Sequence, residues 1–445
     1  MNVKLKVLTA GVLFFTGQVV MAQETKKDQE KEIDEVVVVG YQKKKSEVVS
    51  SAVTVVSGES MSKFSPITTG ANILQGKSTG LDITSFSGKP GSGAQINVRG
   101  LGNVTTTQGA SNPLFVIDGV IIGNDDRSQT IFNAINPNDY ESISVLKDAA
   151  AAAIYGSQGA NGVIVVTTKT GKSGRPVLNF TSRLGFSEKI KDINFSMMNA
   201  TQKVEYENKM AAMGITNYTA FTSQEANEAI ANNHDWQKDI LRTSFIESYL
   251  LSVRGGNESA KYAISLGHDS DNGIIQNIHA YKRLTGRFKV DATPNKRLNL
   301  GAGMGVNYGV TQDPRDRNNV QNPIRAMYDY NPYEKVYNAD GSYNSTYQGF
   351  PILEALKNNP EFNKNIIIDG NVYAQYKIIE GLSVKSLLGG YFNNYRYDYR
   401  ILRGSFLDNI LGLNGDTSQR VDNRFKMGGI VLCALLLLSI FANSN

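Results

Sequence analysis

The sequence has little of what redox and metal chemistry requires. Its 445 residues include one cysteine, three histidines and one tryptophan. A single cysteine excludes an intrachain disulfide framework, and three histidines argue against a histidine-rich metal site. We therefore expect neither a metal nor a cofactor.

One-sided charge and overall hydrophobicity are also low. Hydrophobic residues make up 41% of the chain and the mean hydropathy is -0.27, which excludes a helical membrane bundle. The formal net charge of +5 is too small an excess to indicate a nucleic-acid partner. What is plentiful is glycine, tyrosine and phenylalanine, with 42, 21 and 18 residues. This composition disfavours an ordinary helical enzyme.

The first 22 residues have the layout of a secretory signal peptide. Lys4 and Lys6 precede an apolar run over 7–20, and the small residue Ala22 ends the segment. A short membrane anchor is disfavoured, because a spanning helix needs about 20 apolar residues. We expect cleavage before Gln23 and export of the remaining chain.

Residues 23–45 are predicted to form a periplasmic tether. Residues 24–34 are almost all charged or polar, and the run 36–39 is four consecutive valines. A polar segment follows the valines at 42–47. The valines fit an edge strand that adds to another protein's sheet. They fit equally the first strand of the following domain, and the sequence leaves both interpretations open.

Residues 46–171 are predicted to form a compact α+β domain. Short β-type runs alternate with glycine-rich turns, at 81–84, 96–100, 114–119, 143–146 and 163–168. A helical turn is expected at 71–75 and a helix at 148–155, which Asp148 caps and Gly156 stops.

No catalytic set is visible in this domain. Asp118, Asp125 and Asp126 stand beside glycines, where aspartate commonly forms turns. The glycines of 88–93 lack the spacing and the following helix of a phosphate-binding loop. We therefore expect turns at both places, and no enzymatic activity.

From residue 177 onward the pattern changes to long two-residue periodicity. Strands of about ten residues with one apolar face are typical of a transmembrane barrel, whereas sandwich strands run about five or six residues. Seven strands of this kind are predicted, with alternating residues over 177–186, 248–254, 261–266, 281–292, 298–308, 366–378 and 382–392.

The connections between these strands alternate between long and short. The first and fifth connections, 187–247 and 309–365, are long, and those near 256–259, 293–297 and 379–381 are short. Outer-membrane barrels have long external loops and short periplasmic turns. The tyrosines of 309–365 fit ligand contact as well as a place at the membrane interface.

Three segments of the compact domain carry a family resemblance. Residues 98–100 (VRG), 113–119 (PLFVIDG) and 144–172 (SVLKDAAAAAIYGSQGANGVIVVTTKTGK) resemble the plug domain of the SusC/RagA family of TonB-dependent outer-membrane transporters. Gln158 departs from the family's usual arginine, which leaves one contact between plug and barrel in doubt. The residues that carry the plug signature are Arg99, Gly100, Asp118, Gly119, Lys147, Asp148, Tyr155, Gly156, Gly159, Asn161 and Gly162.

The segment 34–41 resembles the TonB box of the same receptors. Its residues are Asp34, Glu35, Val36, Val37, Val38, Val39 and Gly40. The resemblance implies an α+β plug domain followed by an antiparallel transmembrane β-barrel. It also implies import of oligosaccharides or peptides, with the TonB complex, a SusD-like surface lipoprotein and outer-membrane lipid as partners. A non-transporting surface binding protein or adhesin is the alternative.

The length conflicts with a closed barrel. A barrel that encloses such a plug needs about 22 strands, whereas 172–426 supplies seven, or eight or nine at most. The apolar stretch that follows, within 427–445, fits a short membrane helix, a buried helix or out-of-frame sequence. We expect an incomplete barrel, an anomalous frameshifted tail and a truncated transporter that need not function.

Overall fold

A computed structural model describes most of the chain between residues 36 and 438. The described residues are 36–39, 42–45, 53–61, 69–85, 87–100, 112–148, 152–189, 197–314, 319, 321–345, 350–413, 417–427 and 431–438, with only the backbone within 36–45 and 417–438. The predicted signal peptide 1–22 lies outside them, as do Asp34, Glu35 and Gly40 of the predicted box.

The valine run is a strand of its own small sheet. Strand β1 (Val36–Val39) pairs antiparallel with β2 (Gln42–Lys45). This part of the predicted tether therefore folds back on itself as a hairpin. Valine favours extended backbone, and a neighbouring segment can supply the hydrogen bonds whatever its side chains are. These two strands are separate from the sheets of the following domain. The interpretation of the valines as the first strand of that domain's sheet is therefore wrong.

The next domain is built on a five-stranded sheet, in which β6 and β9 pair in parallel and the other neighbours are antiparallel. Its order is β3-β8-β9-β6-β7, and β4 and β5 form a separate hairpin. The strands are β3 (Val53–Ser57), β4 (Leu81–Thr84), β5 (Gln95–Val98), β6 (Leu114–Ile117), β7 (Val120–Gly123), β8 (Tyr140–Leu146) and β9 (Val163–Thr168). All five predicted strands are confirmed, and β3 and β7 were missed.

Helices cover this sheet. They are Gly58–Met61, Gly70–Leu74 and Asp126–Ala134, with 3₁₀ segments at Pro137–Asp139 and Ala153–Gly159. The helical turn at 71–75 is confirmed. The helix predicted at 148–155 is described only from Ala152, and it is 3₁₀ from Ala153. Gly156 stops it as predicted, because its backbone (φ 65°, ψ -153°) is non-helical, and a second 3₁₀ turn follows to Gly159. Glycine can adopt this left-handed backbone, so it bends the segment there.

An aromatic stack lies at the centre of the domain's core. The rings of Phe115 and Phe132 are 5.1 Å apart, and those of Phe132 and Tyr140 are 6.1 Å apart, both pairs stacked. The three side chains are fully buried. The Tyr140 hydroxyl donates to the Phe132 carbonyl at 3.1 Å, which satisfies its one polar atom inside the core.

The second part of the chain is one antiparallel sheet that does not close. Each strand pairs with the next from β10 to β17, and β18 pairs with β16. The strands are β10 (Gly174–Ser187), β11 (Ser244–Gly256), β12 (Ala260–Asp271), β13 (Tyr281–Asn295), β14 (Leu298–Gln312), β15 (Glu361–Ile379), β16 (Leu382–Ile401), β17 (Thr417–Met427) and β18 (Val431–Leu438). This confirms the seven predicted strands and the predicted incomplete barrel.

The apolar tail forms a strand. Strand β18 pairs with the first part of β16, from Leu382 to Gly389, and β17 pairs with the second part, from Phe392 to Ile401. The two therefore follow one another along the same edge. The helical interpretations of the tail are wrong over Val431–Leu438, because the free edge of β16 offers backbone partners that a helix would leave unused. Its origin as a frameshift stays a prediction.

The two faces of this sheet differ as the periodicity predicts. Phe180 and Phe186 on β10 are 66% and 75% exposed, and Leu284 on β13 is 56% exposed. The alternate residues Arg283 and Lys289 of β13 point the other way and are buried. The sheet therefore has an apolar outer face, and its polar inner face lies against the first domain.

The long connections carry helices with a core of their own. The first contains Ala200–Ala212, Ser223–Ala231 and Trp236–Ile240, the second long one contains Pro323–Asp329 and Ile352–Asn358, and Phe406–Leu411 follows β16. Trp236, Ile240, Met327, Tyr330, Ile352 and Leu356 belong to this core. Over the described residues, every helix is too short or too polar to cross a membrane.

The first helix of this α+β domain, Gly58–Met61, allows a test of its packing. A Cβ added at Gly58 would lie 2.0 Å from the backbone oxygen of Tyr140. Because backbone atoms cannot move aside locally, we expect Gly58→Ala to destabilise the first domain by about 1–3 kcal/mol. The measurement is the urea midpoint for protease cleavage of that domain in the full chain.

Gly88→Ala is the matched control, since a Cβ there meets nothing within 4 Å and the backbone is not left-handed. Equal midpoints for the two variants would contradict the packing described around Gly58.

Candidate functional site where the first domain meets the sheet

Asp118 stands in a tight turn that points toward the sheet. Pairing of Ile117 with Val120 leaves Asp118 and Gly119 as a two-residue hairpin loop, with φ of 48° and 87°. A loop with positive φ at both positions favours Asp-Gly. The turn predicted at Asp118 is thereby confirmed, and the backbone geometry explains why a glycine follows it.

The Asp118 carboxylate is the centre of a buried polar cluster. Lys289 of β13 donates to Oδ1 at 2.9 Å. Thr168, at the end of β9, donates its amide to Oδ1 at 2.9 Å and its hydroxyl to Oδ2 at 2.5 Å. Burial alone raises the pKa of Asp118, but Lys289 and the two Thr168 hydrogen bonds outweigh burial, and the pKa is lowered. The carboxylate is therefore charged and fully partnered.

Further polar contacts join the two parts of the chain along the same face. Arg254 of β11 forms an ion pair with Glu141 at 3.2 Å and donates to the Thr170 carbonyl at 2.8 Å. The Ser265 hydroxyl of β12 donates to Asp139 at 2.6 Å. Charge-assisted bonds of this kind are stronger than neutral ones, so the first domain is held at several strands.

Arginines on the inner face are neutralised within the sheet itself. Arg283 makes two hydrogen bonds to one Asp269 oxygen, at 2.8 and 2.7 Å. Arg287 forms a bidentate pair with Asp369, at 3.0 and 2.9 Å. Both guanidinium groups beside the Asp118 cluster are therefore paired with aspartates of the sheet. Lys289 is the cation that pairs with Asp118.

The turn at 88–93 also contacts the sheet. Lys89 forms an ion pair with Asp313, and a Cβ at Gly91 would lie 2.4 Å from the Tyr281 ring. Burial lowers the pKa of Lys89 to about 8, and the charge of Glu361 opposes this shift. The predicted turn is thus in place, packed against strand β13 and the start of the second long connection.

A second group of signature residues braces one end of the first domain. Arg99 forms an ion pair with Asp148, and its amide donates to the Gly80 carbonyl at 2.7 Å. Lys147 donates to the Thr54 hydroxyl and to the Thr79 carbonyl, both at 2.9 Å. Gly100 beside Arg99 has φ of 87°. Arg99 and Lys147 therefore connect segments of the first domain to one another.

A third group of signature residues serves packing. Tyr155 is buried with Leu114, Leu146 and Val163. A Cβ at Gly159 would lie 2.8 Å from the Ala152 carbonyl oxygen. The side-chain amide of Asn161 lies 3.5 Å from the backbone carbonyl oxygen of Asn112.

Gly162 permits a second close approach in this group. A Cβ there would lie 2.9 Å from Val98, and its φ is 88°. Gln158, where the family has arginine, is exposed. The predicted signature residues therefore fall into three places, of which only Asp118 and Gly119 face the sheet.

The other two aspartates considered above also have structural roles. Asp125 caps the helix Asp126–Ala134 by accepting the Ser128 amide at 2.8 Å. Asp126 accepts the Asn112 amide at 2.9 Å. Over the described residues, acidic, histidine and cysteine side chains form no group of three that could hold a metal ion.

Comparison with known proteins places this geometry in a family. Residues 45–163 match the TonB-dependent Receptor Plug Domain. The chain corresponds to the N-terminal part of a SusC/RagA-like TonB-dependent receptor. It is 30% identical to the TonB-dependent receptor SusC of Bacteroides thetaiotaomicron over 423 residues, which are 88% of this chain and 40% of SusC. It is 31% identical to the TonB-dependent receptor P26 of Formosa agariphila, over 88% of this chain and 38% of P26.

Solved structures agree on the fold of this receptor chain. The RagAB peptide importer in its open-open state superposes with a TM-score of 0.70 at 24% identity, over 83% of this chain and 44% of that one. A second RagAB structure, of the peptide transporter, gives a TM-score of 0.67. The chain thus spans about two fifths of the length of the curated relatives it matches. The predicted plug is confirmed.

The receptor's contact residues on the sheet could not be identified from the sequence. Arg254, Ser265 and Lys289 stand among many polar residues on alternating positions, and nothing local distinguishes them. Thr168 ends a β-type run without any motif of its own. The only signal was the Asp-Gly pair, which marks a turn but says nothing about its partner.

Removing the cation of the buried pair tests how the plug is held. In Lys289→Met the Asp118 carboxylate keeps its Thr168 bonds but loses its charge partner, which typically costs about 3–5 kcal/mol. We expect the plug in the full chain to become sensitive to protease at a lower urea concentration.

Lys282→Met is the control, because Lys282 is an exposed residue of the same strand. The double variant Asp118→Asn with Lys289→Met should recover part of the loss, since neither member of the pair is then charged. If Lys289→Met behaves like Lys282→Met, the pair does not hold the plug.

The lowered pKa of Asp118 predicts an acid limit for this contact. A carboxyl whose folded pKa lies below its unfolded value, about 3.9, stabilises the fold above that value. Its contribution is lost as the pH falls through the folded pKa. We expect the stability difference between the native chain and Asp118→Asn to be constant above about pH 5 and to shrink below pH 4. A difference that shrinks at neutral pH instead would contradict the assignment. Urea midpoints measured over this pH range provide the test.

Proposed function

We propose that this chain acts in TonB-dependent import of oligosaccharides or peptides across the outer membrane. The single observation that carries the proposal is the plug, seated on the polar face of the sheet through Asp118, Glu141 and Asp139. The contact between plug and sheet combines these polar pairs with apolar packing of Ile367 and Leu387 against the plug's core, and we propose that a pull on the plug's N-terminal side breaks these contacts in sequence. Transport of this kind requires force and no chemistry, and we propose no enzymatic activity.

The tether is the proposed place where that force is applied. Strand β1 pairs with β2 over four residues, and an isolated two-stranded hairpin is marginally stable in water. TonB can therefore replace β2 as the partner of Val36–Val39 by adding a strand. We propose the box at Asp34, Glu35, Val36, Val37, Val38, Val39 and Gly40.

The outer face of the sheet supports a location in the outer membrane. Large apolar side chains such as Leu178, Phe180, Leu184 and Leu266 are more than half exposed. Continuous apolar surface of this kind is costly in water and suits lipid. We propose export by a cleaved signal peptide at 1–22, insertion in the outer membrane, and a SusD-like surface lipoprotein as the partner that delivers the cargo.

Deleting the box separates transport from binding. Cells that carry the full chain without residues 34–41 should bind labelled oligosaccharides or peptides as before and should take up none, because no strand remains for TonB. Uptake into the periplasm and binding at the surface are measured on the same cells.

An equally long deletion of the charged residues 24–31 is the control and should leave uptake intact. Unchanged uptake without 34–41 would contradict TonB coupling. Binding without uptake in the native chain would instead identify a surface binding protein.

A further inference from the structure

A preformed cleft lies between the two long connections. It has a volume of about 660 Å³. Three segments line it, 197–203, 233–238 and 327–332. Ligand clefts usually measure about 300–1,000 Å³. None of its lining residues belongs to the plug or to the contacts that hold it.

Hydrogen bonds fix the walls of this cleft to each other. The Trp236 indole donates to the Asn331 carbonyl at 3.0 Å, and the His234 amide donates to the Pro332 carbonyl at 2.6 Å. The Ala200 amide, in the segment that contains Met197 and Met198, donates to the Asn233 side-chain oxygen at 2.8 Å. A cleft held in this way loses little entropy when a ligand binds.

The hydrophobic core of the connections lies directly beneath the cleft. Trp236 packs edge-on against Tyr330, with ring centroids 5.1 Å apart, and both side chains are about 95% buried. The Tyr330 hydroxyl donates to the Phe350 carbonyl at 2.6 Å. The floor of the cleft is therefore as rigid as its walls.

The lining combines adaptable apolar groups with charges of both signs. Met197, Met198 and Tyr328 line the cleft and are 40%, 47% and 47% exposed. Methionine adapts to ligand side chains of different shapes. Lys238 and Asp235, also in the lining, form an exposed ion pair of 3.5 Å, which costs little to open.

These features match a peptide better than a glycan. Apolar side chains can pack on the methionines, and charged termini can meet Lys238 and Asp235. A glycan would stack on open aromatic faces, but Trp236 is only 5% exposed. Tyr328 is the one ring of the lining with a large exposed area.

We propose that this cleft binds a short peptide segment with apolar side chains and free termini. The inference rests on the proposed function only in taking this peptide as cargo, since the binding itself needs no transport. It names the substrate class at a place separate from the plug.

The chain contains its own probe for this binding. Trp236 is the single tryptophan of the sequence, and it lines the cleft. Indole fluorescence of the full chain in detergent therefore reports on the cleft alone. We expect a saturable change on titration with a short peptide that has free termini and a central leucine and phenylalanine. A maltooligosaccharide of similar mass should give none.

A matched pair of variants localises the effect. Met197→Ser with Met198→Ser should raise the peptide's dissociation constant about tenfold or more, because buried methionine contacts are lost. Met213→Ser is the control, since Met213 is 72% exposed on the same connection and does not line the cleft. An unchanged emission maximum without ligand checks that the floor stays folded.

Three results would overturn the proposal. They are a response to the saccharide in place of the peptide, a response to neither probe, and equal affinities for the two methionine variants. The box deletion distinguishes this failure from failure of the proposed function. It leaves the fluorescence titration unchanged if only transport is misassigned.

Discussion

A buried carboxylate needs a cation, and this requirement joins the plug to the sheet. Asp118 is 171 residues away from Lys289 along the chain, yet Lys289 Nζ lies 2.9 Å from Asp118 Oδ1. The hairpin turn carries Asp118 beyond the plug's own sheet, and the alternation of β13 turns Lys289 inward. Leaving either charge alone in this place costs several kcal/mol. This pairing therefore helps to fix the position of the plug on the sheet, together with the contacts of Arg254 to Glu141 and of Ser265 to Asp139.

The inner face of the sheet is stable because its polar groups partner one another and the plug. Arg283 binds Asp269 on the neighbouring strand β12, and Arg287 binds Asp369 on β15, two strands away. These guanidinium charges are therefore neutralised within the sheet. The outer face presents mainly aromatic and aliphatic side chains, such as Phe180, Leu266 and Leu284. A sheet with these two faces suits a boundary between lipid and a polar plug, and it suits neither water nor lipid on both sides.

Local patterns predicted the strands but not the contacts between them. Two-residue alternation located the seven long strands, and the Asp-Gly pair located the turn at Asp118. Strands β3 and β7 were missed, although β7 directly follows the Asp118–Gly119 turn, and the helix Asp126–Ala134 was missed although Asp125 caps it. The partners of Asp118, Glu141 and Asp139 lie more than 100 residues away in sequence. Such contacts depend on strand register across the whole sheet, which no local pattern encodes.

The long connections pose a different physical problem, because they leave the sheet and cannot use the plug's core. They form a core of their own around Trp236, Met327 and Tyr330. A connection without one would have to order itself each time a ligand binds, which costs about 1–2 kcal/mol per residue fixed. Here that cost is met during folding. The walls of the cleft are therefore ordered before a ligand binds. The backbone is rigid, and the exposed methionine side chains above it can adapt to ligand side chains of different shapes.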